Sequence, residues 1–311
     1  MLKNACMDTQ HLYAFVAIAE QGSFSAAAEK LHLTQPAISK RIALLEDQLG
    51  TRLFDRVGRQ VILTQAGKIL LSKAQLILSE VTATRRAIAD LQGEIQGQLS
   101  IATSHHVGLH YLPPVLREFS SLYPQVKLDL HFLDSEQAYD EILQGRYDIA
   151  VVTLSHEQGT LSHESTLSHQ RGSLFQSYSI WHDQLHFVAA PEHPLAMQPN
   201  LQLADLTKHQ AILPDLNTYT TQLVKHLFDQ ENLPLNINMV TNHLESIKMM
   251  LSIGLGWGVL PNRLIDHQVQ QLDVKHTPLI RLLGAIHHKQ RSLSNSATAF
   301  IELMQRQKAS I

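Results

Sequence analysis

The chain has a single cysteine, Cys6, in 311 residues. A disulfide framework is therefore excluded, and a reducing compartment is indicated. No apolar run approaches the ~18 residues that a membrane span requires. The N-terminus lacks the basic segment and continuous apolar stretch of a signal peptide, because His11, Glu20 and Gln21 interrupt it. A cytoplasmic protein without a membrane partner is expected. Excess positive charge is missing too: the formal net charge is -3. A nucleic-acid partner must then be met by a local patch rather than a global field. Catalytic signatures are also absent. No GxSxG, no phosphate loop and no metal triad occurs, so a metabolic enzyme is not expected. "GLGWG", Gly254 to Gly258, fails the dinucleotide fingerprint because it follows a helical pattern and precedes a strand. Aromatics are few, but 44% of residues are hydrophobic, enough for two or three ordinary globular domains.

Histidine is the abundant residue, at 19 copies. No His-x-x-x-His or His-Glu-x-x-His pair is expected on a helix, so the histidines read as surface or packing residues and no metal site is expected. The tetrad Thr-Leu-Ser-His starts at Thr153, Thr160 and Thr166. It reads as a duplicated polar loop. The spacing of His156, His163 and His169 fits no strong metal-ligand signature.

Leu12, Phe15, Val16 and Ala19 share one helical face. Gly22 ends that helix, and Ser25 is expected to cap the next, which runs to about Leu31. After "HLT" a third helix opens, with Thr34 as N-cap and Pro36 in the first turn. Ile38, Ile42, Leu45 and Leu49 form its buried stripe, while Gln35, Ser39 and Lys40 point elsewhere. Two extended pieces around Val57-Gly58 form a hairpin-like wing. Thr64 then caps a long helix in which Leu70, Ala74, Ile77, Val81, Thr84, Ile88 and Leu91 recur at heptad-like steps. Such a seam predicts pairing with a second copy. Gly93 and Gly97 end this segment.

From Leu99 the pattern alternates strand and helix. "LSIATS", "VKLDLHF" and "YDIAVVT" are strands separated by helices, an order that implies a mostly parallel, doubly wound sheet. A second set has strands near "LHFVAA", "QAIL" and "NINMV", and helices near Thr218–Asp229 and His243–Ile253. A last strand, "LLGAIHH", and a last helix, Ser294–Arg306, fold back on the first lobe. Two α/β lobes make a clamshell whose cleft suits a small molecule. The domains expected are 1–66, 67–95 and 96–311. In the last, lobe I covers about 96–165 and 270–311, and lobe II about 173–269.

A short helix, a tight turn and a second helix split by face make a helix-turn-helix. Ile38, Ile42 and Leu45 lock the second helix, Gln35, Ser39 and Lys40 can reach base edges, and Arg41, Arg52, Arg56 and Arg59 can meet phosphates. Between residues 30 and 60 there are six Lys/Arg and three Asp/Glu, a local charge of +3 within a net-acidic chain. "FSAAAEKLHLTQPAISKRIALLEDQLGTRLFDRVGRQVILTQAG" resembles the winged helix-turn-helix of LysR-type transcriptional regulators. The match covers about residues 8–66 without a gap, and "PEHPLA" and "GWGVLP" extend it over nearly the whole chain. The resemblance implies a DNA-binding domain, a dimerisation helix and a two-lobed effector domain related to periplasmic binding proteins. It implies a tetramer on double-stranded promoter DNA, with RNA polymerase as a further partner and no cofactor beyond a small effector. Thr34, Gln35, Pro36, Ser39, Lys40, Arg41, Arg56 and Arg59 are the DNA-contacting candidates. A secreted solute-binding protein is the alternative on fold, but it would leave the first 95 residues without a purpose. One departure is the triple "TLSH" segment, longer than the family's usual connection.

For the effector, the resemblance points to the first strand–helix turn, "ATSHHVGLH", and to facing loops. Thr103, Ser104 and His105, with Thr153 and Thr218 opposite, are the expected contacts. Hydroxyls beside a helix N-terminus suit a carboxylate. The expected ligand is an organic acid or an amino-acid pathway intermediate.

Overall fold

The computed structural model describes residues 7–57, 60–90, 93–154 and 174–308. Arg59, Leu91 and the histidines His156, His163 and His169 lie outside the described residues. Contacts divide the chain into two compact units, one of residues up to 92 with Leu143–Arg146, the other of the remainder.

The first unit begins with α1 (Thr9–Gln21), capped by Asp8, whose Oδ1 accepts from Gln10 N at 2.9 Å. Gly22 closes it at φ 62, a left-handed value that glycine adopts without a Cβ clash. The cap of α2 (Phe24–Lys30) is Ser23, not Ser25. Ser23 is the last extended residue, so its hydroxyl can accept from Ala26 N (3.4 Å), whereas Ser25 is already within the first turn. Thr34 holds the N-cap position of α3 (Gln35–Leu49), although its hydroxyl makes no capping bond. Leu12, Phe15 and Ile18 of α1 close over Ala27, Ala28, Ile38, Ile42 and Leu45.

Strands β1 (Phe54–Val57) and β2 (Gln60–Leu63) pair antiparallel, Phe54 opposite Leu63. Thr64 Oγ1 accepts from Gly67 N at 3.0 Å and starts α4 (Gln65–Asp90). A Cβ on Gly67 would lie 2.2 Å from Leu53 O, so the wing's base and α4 approach as closely as glycine alone permits. The expected seam of α4 divides. Ala74 is fully buried in the helix-turn-helix core with Leu70 beside it, while Ile77 (41%) and Ile88 (64%) remain exposed.

The second unit runs β3 (Gly97–Thr103), α5 (His105–His110), α6 (Leu112–Leu122), β4 (Val126–Phe132), α7 (Ser135–Leu143) and β5 (Ile149–Thr153). It continues with β6 (Phe175–Ala189), α8 (Leu203–Leu206), β7 (Ala211–Leu213), α9 (Tyr219–Gln230), β8 (Ile237–Val240), α10 (Leu244–Ser252) and β9 (Trp257–Pro261). A short 3-10 turn (Asn262–Leu264), β10 (Gln270–Gln271), β11 (Leu279–His288) and α11 (Asn295–Lys308) complete it. Strand order is β4-β3-β5-β11-β6-β9-β7-β8. The parallel pairing expected from the sequence holds within β4-β3-β5 and within β9-β7-β8. The joining strands β11 and β6 are antiparallel to each other and to their other neighbours.

These two strands serve two cores. Leu99, Ile101, Val151, Phe119, Phe300 and Met304 belong to the first, together with Ile180 and Trp181 of β6 and Leu283 and Ala285 of β11. Leu185 and Phe187 of β6 and Leu279 of β11 belong to the second, with Leu213, Phe228 and Trp257. Among the described residues no helix is long and apolar enough to cross a membrane.

Candidate functional site

In the first unit, α3 is divided by face. Ile38, Ile42 and Leu45 are buried, whereas Thr34, Gln35, Pro36 and Lys40 are exposed and Ser39 is half-buried. An exposed polar face at a helix start is what reading base edges requires. Arg41 differs from the expectation of a free phosphate contact. It is half-buried, and its Nη2 donates to Gln10 Oε1 of α1 at 2.8 Å. Arg56 lies on β1 opposite Val61.

In the second unit, a cavity enclosing about 530 Å³, its open mouth included, lies between the two cores. Ser104, His105, Thr153 and Thr218, four of the five candidate effector contacts, line it. Thr103 does not. It is fully buried, and its hydroxyl donates to Val151 O at 2.8 Å, tying β3 to β5. The side chain of the last residue in β3 turns into the sheet's core, and the next residue, Ser104, turns out. Thr218 has a second duty as the cap of α9, accepting from Thr221 N and donating to Asp215 O at 2.7 Å.

The sequence did not point to the charged groups of this cavity. Asp134, Glu136 and Arg281 line it beside His106. Glu136 Oε1 accepts from Tyr219 N at 3.2 Å, at the start of α9. Asp134 Oδ2 accepts from Asn242 Nδ2 at 2.7 Å. Burial raises the pKa of Glu136. Arg281 of β11 is 4% exposed and stands directly opposite Asp183 of β6. Its Nε and Nη2 both donate to Asp183 Oδ2, and its Nη1 donates to Thr220 Oγ1 at 2.8 Å. Tyr111 donates its hydroxyl to the other oxygen, Asp183 Oδ1, at 2.7 Å. Burial alone would raise Asp183, but His106 and the Arg281 charge prevail and hold it at about 2. A lone arginine within apolar "LIRLLG" and a lone aspartate within "WHDQLHF" were the available signals: each is the single Asp, Glu, Lys or Arg of its strand, and the two are opposite in sign.

A histidine pair was also missed. His106 and His110 are four residues apart on α5, so a His-x-x-x-His pair does sit on a helix. Glu245 of α10 joins them, with His110 Nε2 2.8 Å from Glu245 Oε1, and the three could together hold a metal ion.

The profile of the bacterial regulatory helix-turn-helix protein, lysR family, matches residues 9–68, and that of the LysR substrate binding domain matches residues 92–309. The chain belongs to the LysR family. It is thus a DNA-binding transcriptional regulator with a substrate-binding domain, and not an enzyme. A similar LysR-type relative is the uncharacterized HTH-type transcriptional regulator YwqM of Bacillus subtilis, 29% identical over 96% of this chain and 98% of that protein. Among solved LysR-like folds, full-length CbnR complexed with its target DNA has a TM-score of 0.66 and 21% identity, covering 96% of this chain and 99% of the other. The effector binding domain of QuiR in complex with shikimate has a TM-score of 0.59 and 16% identity, covering 69% of this chain and 98% of the other. Within this LysR-family frame the exposed face of α3 and the cavity between the cores are the two candidate sites.

Proposed function

We propose that this regulator reads promoter DNA with α3 and is controlled by a small anionic organic acid held between its two cores. Residues 1–66 read the DNA, 67–95 link and pair two copies, and 96–311 hold the effector. Pairing is supported by the exposed Ile69, Leu76, Ile77 and Ile88 on α4, apolar surface that needs a cover. One observation carries the effector reading. The helices α7, α9 and α10 all begin at the cavity, where Arg281 also emerges. The N–H groups and positive dipole ends of these helix starts favour an anion. The carboxylate that now holds the first amide of α9 is Glu136. An incoming carboxylate takes that place and displaces it. That QuiR holds shikimate, a carboxylate, supports the same class of ligand.

Two experiments test these assignments. A panel of small mono- and dicarboxylates, shikimate included, should raise the melting temperature of the full chain. Glu136→Gln should tighten the active compound several-fold by removing a competing charge. If no carboxylate shifts melting, or the substitution weakens binding, the anion reading is wrong. For DNA, sites are first selected from a random duplex library. Gln35→Ala should cost about 1–3 kcal/mol on the selected site and relax its preference. Arg56→Ala should instead weaken all sequences alike and lower the salt slope by about 1. Wild-type behaviour of both variants rules out the assignment of α3 and the wing.

A further inference from the structure

We propose that His106, His110 and Glu245 form a binding site for one divalent metal ion of the zinc class. The ligand atoms of the three side chains lie within 4.8 Å of one another. The two histidines, at i and i+4, lie on the same face of α5. The carboxylate arrives from α10, which packs in the other half of the unit. Two imidazoles and one carboxylate are a common zinc set, with a fourth position open to water or a ligand.

The state of His106 supports this. It is 6% exposed, and neither ring nitrogen has a hydrogen-bond partner. Nε2 faces Asp183 Oδ2 across 3.4 Å without hydrogen-bond alignment. A buried imidazole left in that condition is costly and calls for a reason. A metal ion supplies one, because it takes one ring nitrogen as ligand. Asp183 beside the ring is the kind of carboxylate that orients metal-bound histidines. His110 and Glu245 are more open, at 29% and 39% side-chain exposure, which leaves an entry path.

The geometry needs little adjustment. Metal bonds of about 2.0–2.1 Å place tetrahedral ligands roughly 3.4 Å apart. The His110–Glu245 contact, now 2.8 Å, would open slightly, and His106 would close on them by ring rotation. A bound ion would tie α5, packed on the first core, to α10, packed on Val188, Ile212 and Leu260, beside the cavity where His106 and Leu244 form part of the wall. Metal and organic effector would then act on the same pair of walls. The metal site stands on its own residues, so it survives if the anion reading fails.

Zinc chloride titrated calorimetrically into the full metal-free chain is the test. The wild type should bind one ion per chain at micromolar affinity or tighter, with a higher melting temperature. His110→Ala and Glu245→Gln should each weaken binding by at least about tenfold, a loss seen even for orienting groups. Glu245→Gln is a conservative change at a half-exposed position, so it carries the test if His110→Ala folds poorly. A chain with alanine at His156, His163 and His169 should bind as the wild type does. Full zinc binding in Glu245→Gln, loss confined to the triple-alanine chain, or wild-type binding weaker than millimolar would each overturn the proposal.

Discussion

Asp183→Asn lowers the stability of the second unit by about 3–5 kcal/mol, the cost of leaving a buried charge without its partner. The two side chains differ by one atom, so packing changes little. What changes is Arg281, only 4% exposed, whose Nε and Nη2 both rely on Asp183 Oδ2. The remaining partner, Thr220 Oγ1 at 2.8 Å, offers no charge. Tyr111 keeps an acceptor in the asparagine oxygen only if the amide turns that way. A compensating change separates this account from simple loss of packing. Arg281→Met alone strands Asp183, but in the Asp183→Asn background it should restore most of the lost stability, because no buried charge is left. Urea unfolding of the four proteins closes the cycle. Additive losses in the double variant would mean that the pair is not the source of the effect.

The second large effect is expected at Trp257, which is 1% exposed at the start of β9. Its indole stacks on Phe228 at 5.8 Å and 4° and lies 5.6 Å from Phe187. Its Nε1 donates to Leu206 O at 3.0 Å and to His209 O at 3.3 Å. Trp257→Ala should cost about 3–5 kcal/mol through the cavity it opens, with those carbonyls losing their donor as well. Trp257→Phe keeps a ring on Phe228 and should lose less than half as much. Hydrogen exchange locates the damage. Amides of β7, β9 and α9 should lose protection, while those of α1 to α3, which share no core with Trp257, should not. Equal loss of protection in α1 to α3 would contradict the separation of the cores.

The elements that were legible in the sequence are those with a long period or a clean cap. The stripe Ile38, Ile42, Leu45 defined α3 because apolar residues recur on one face over two helical turns, although Leu49, expected to continue it, is exposed at the helix end. Strands such as "IAVVT" showed because both faces are buried and the run is apolar throughout. α5 was not legible as a helix, since six residues are too few to show a period and Gly108 interrupts them. His106 and His110 therefore went unnoticed as a pair. β6 read as "LHFVAA" alone, although it spans Phe175–Ala189, because Asp183 interrupts its apolar pattern and its partner is 98 residues away. Thr103 and Ser104 show the limit of site prediction. Adjacent hydroxyls at a strand end are equivalent on paper, and the alternation of the strand sends one into the core and the other to the cavity. Nor could any local pattern place Glu136 on the first amide of α9, since they are 83 residues apart.

The pairing of β11 between β5 and β6 also sets an order of events during synthesis. The helix-turn-helix has all its core residues once Leu78 has left the ribosome. The first α/β core has a longer wait, because Leu283, Ala285, Phe300 and Met304 come from the end of the described chain. At about 5–20 residues per second, β3, β4 and β5 stand for several seconds with β5 lacking the strand that belongs against it. Over that interval the nascent chain carries a finished DNA-reading head and an unsealed sheet edge, the kind of surface that holdase chaperones cover and that neighbouring nascent chains can pair with. A message truncated between Leu78 and Leu279 would yield a polypeptide that keeps the head, lacks the closing strand, and completes neither of the two cores that β6 and β11 serve.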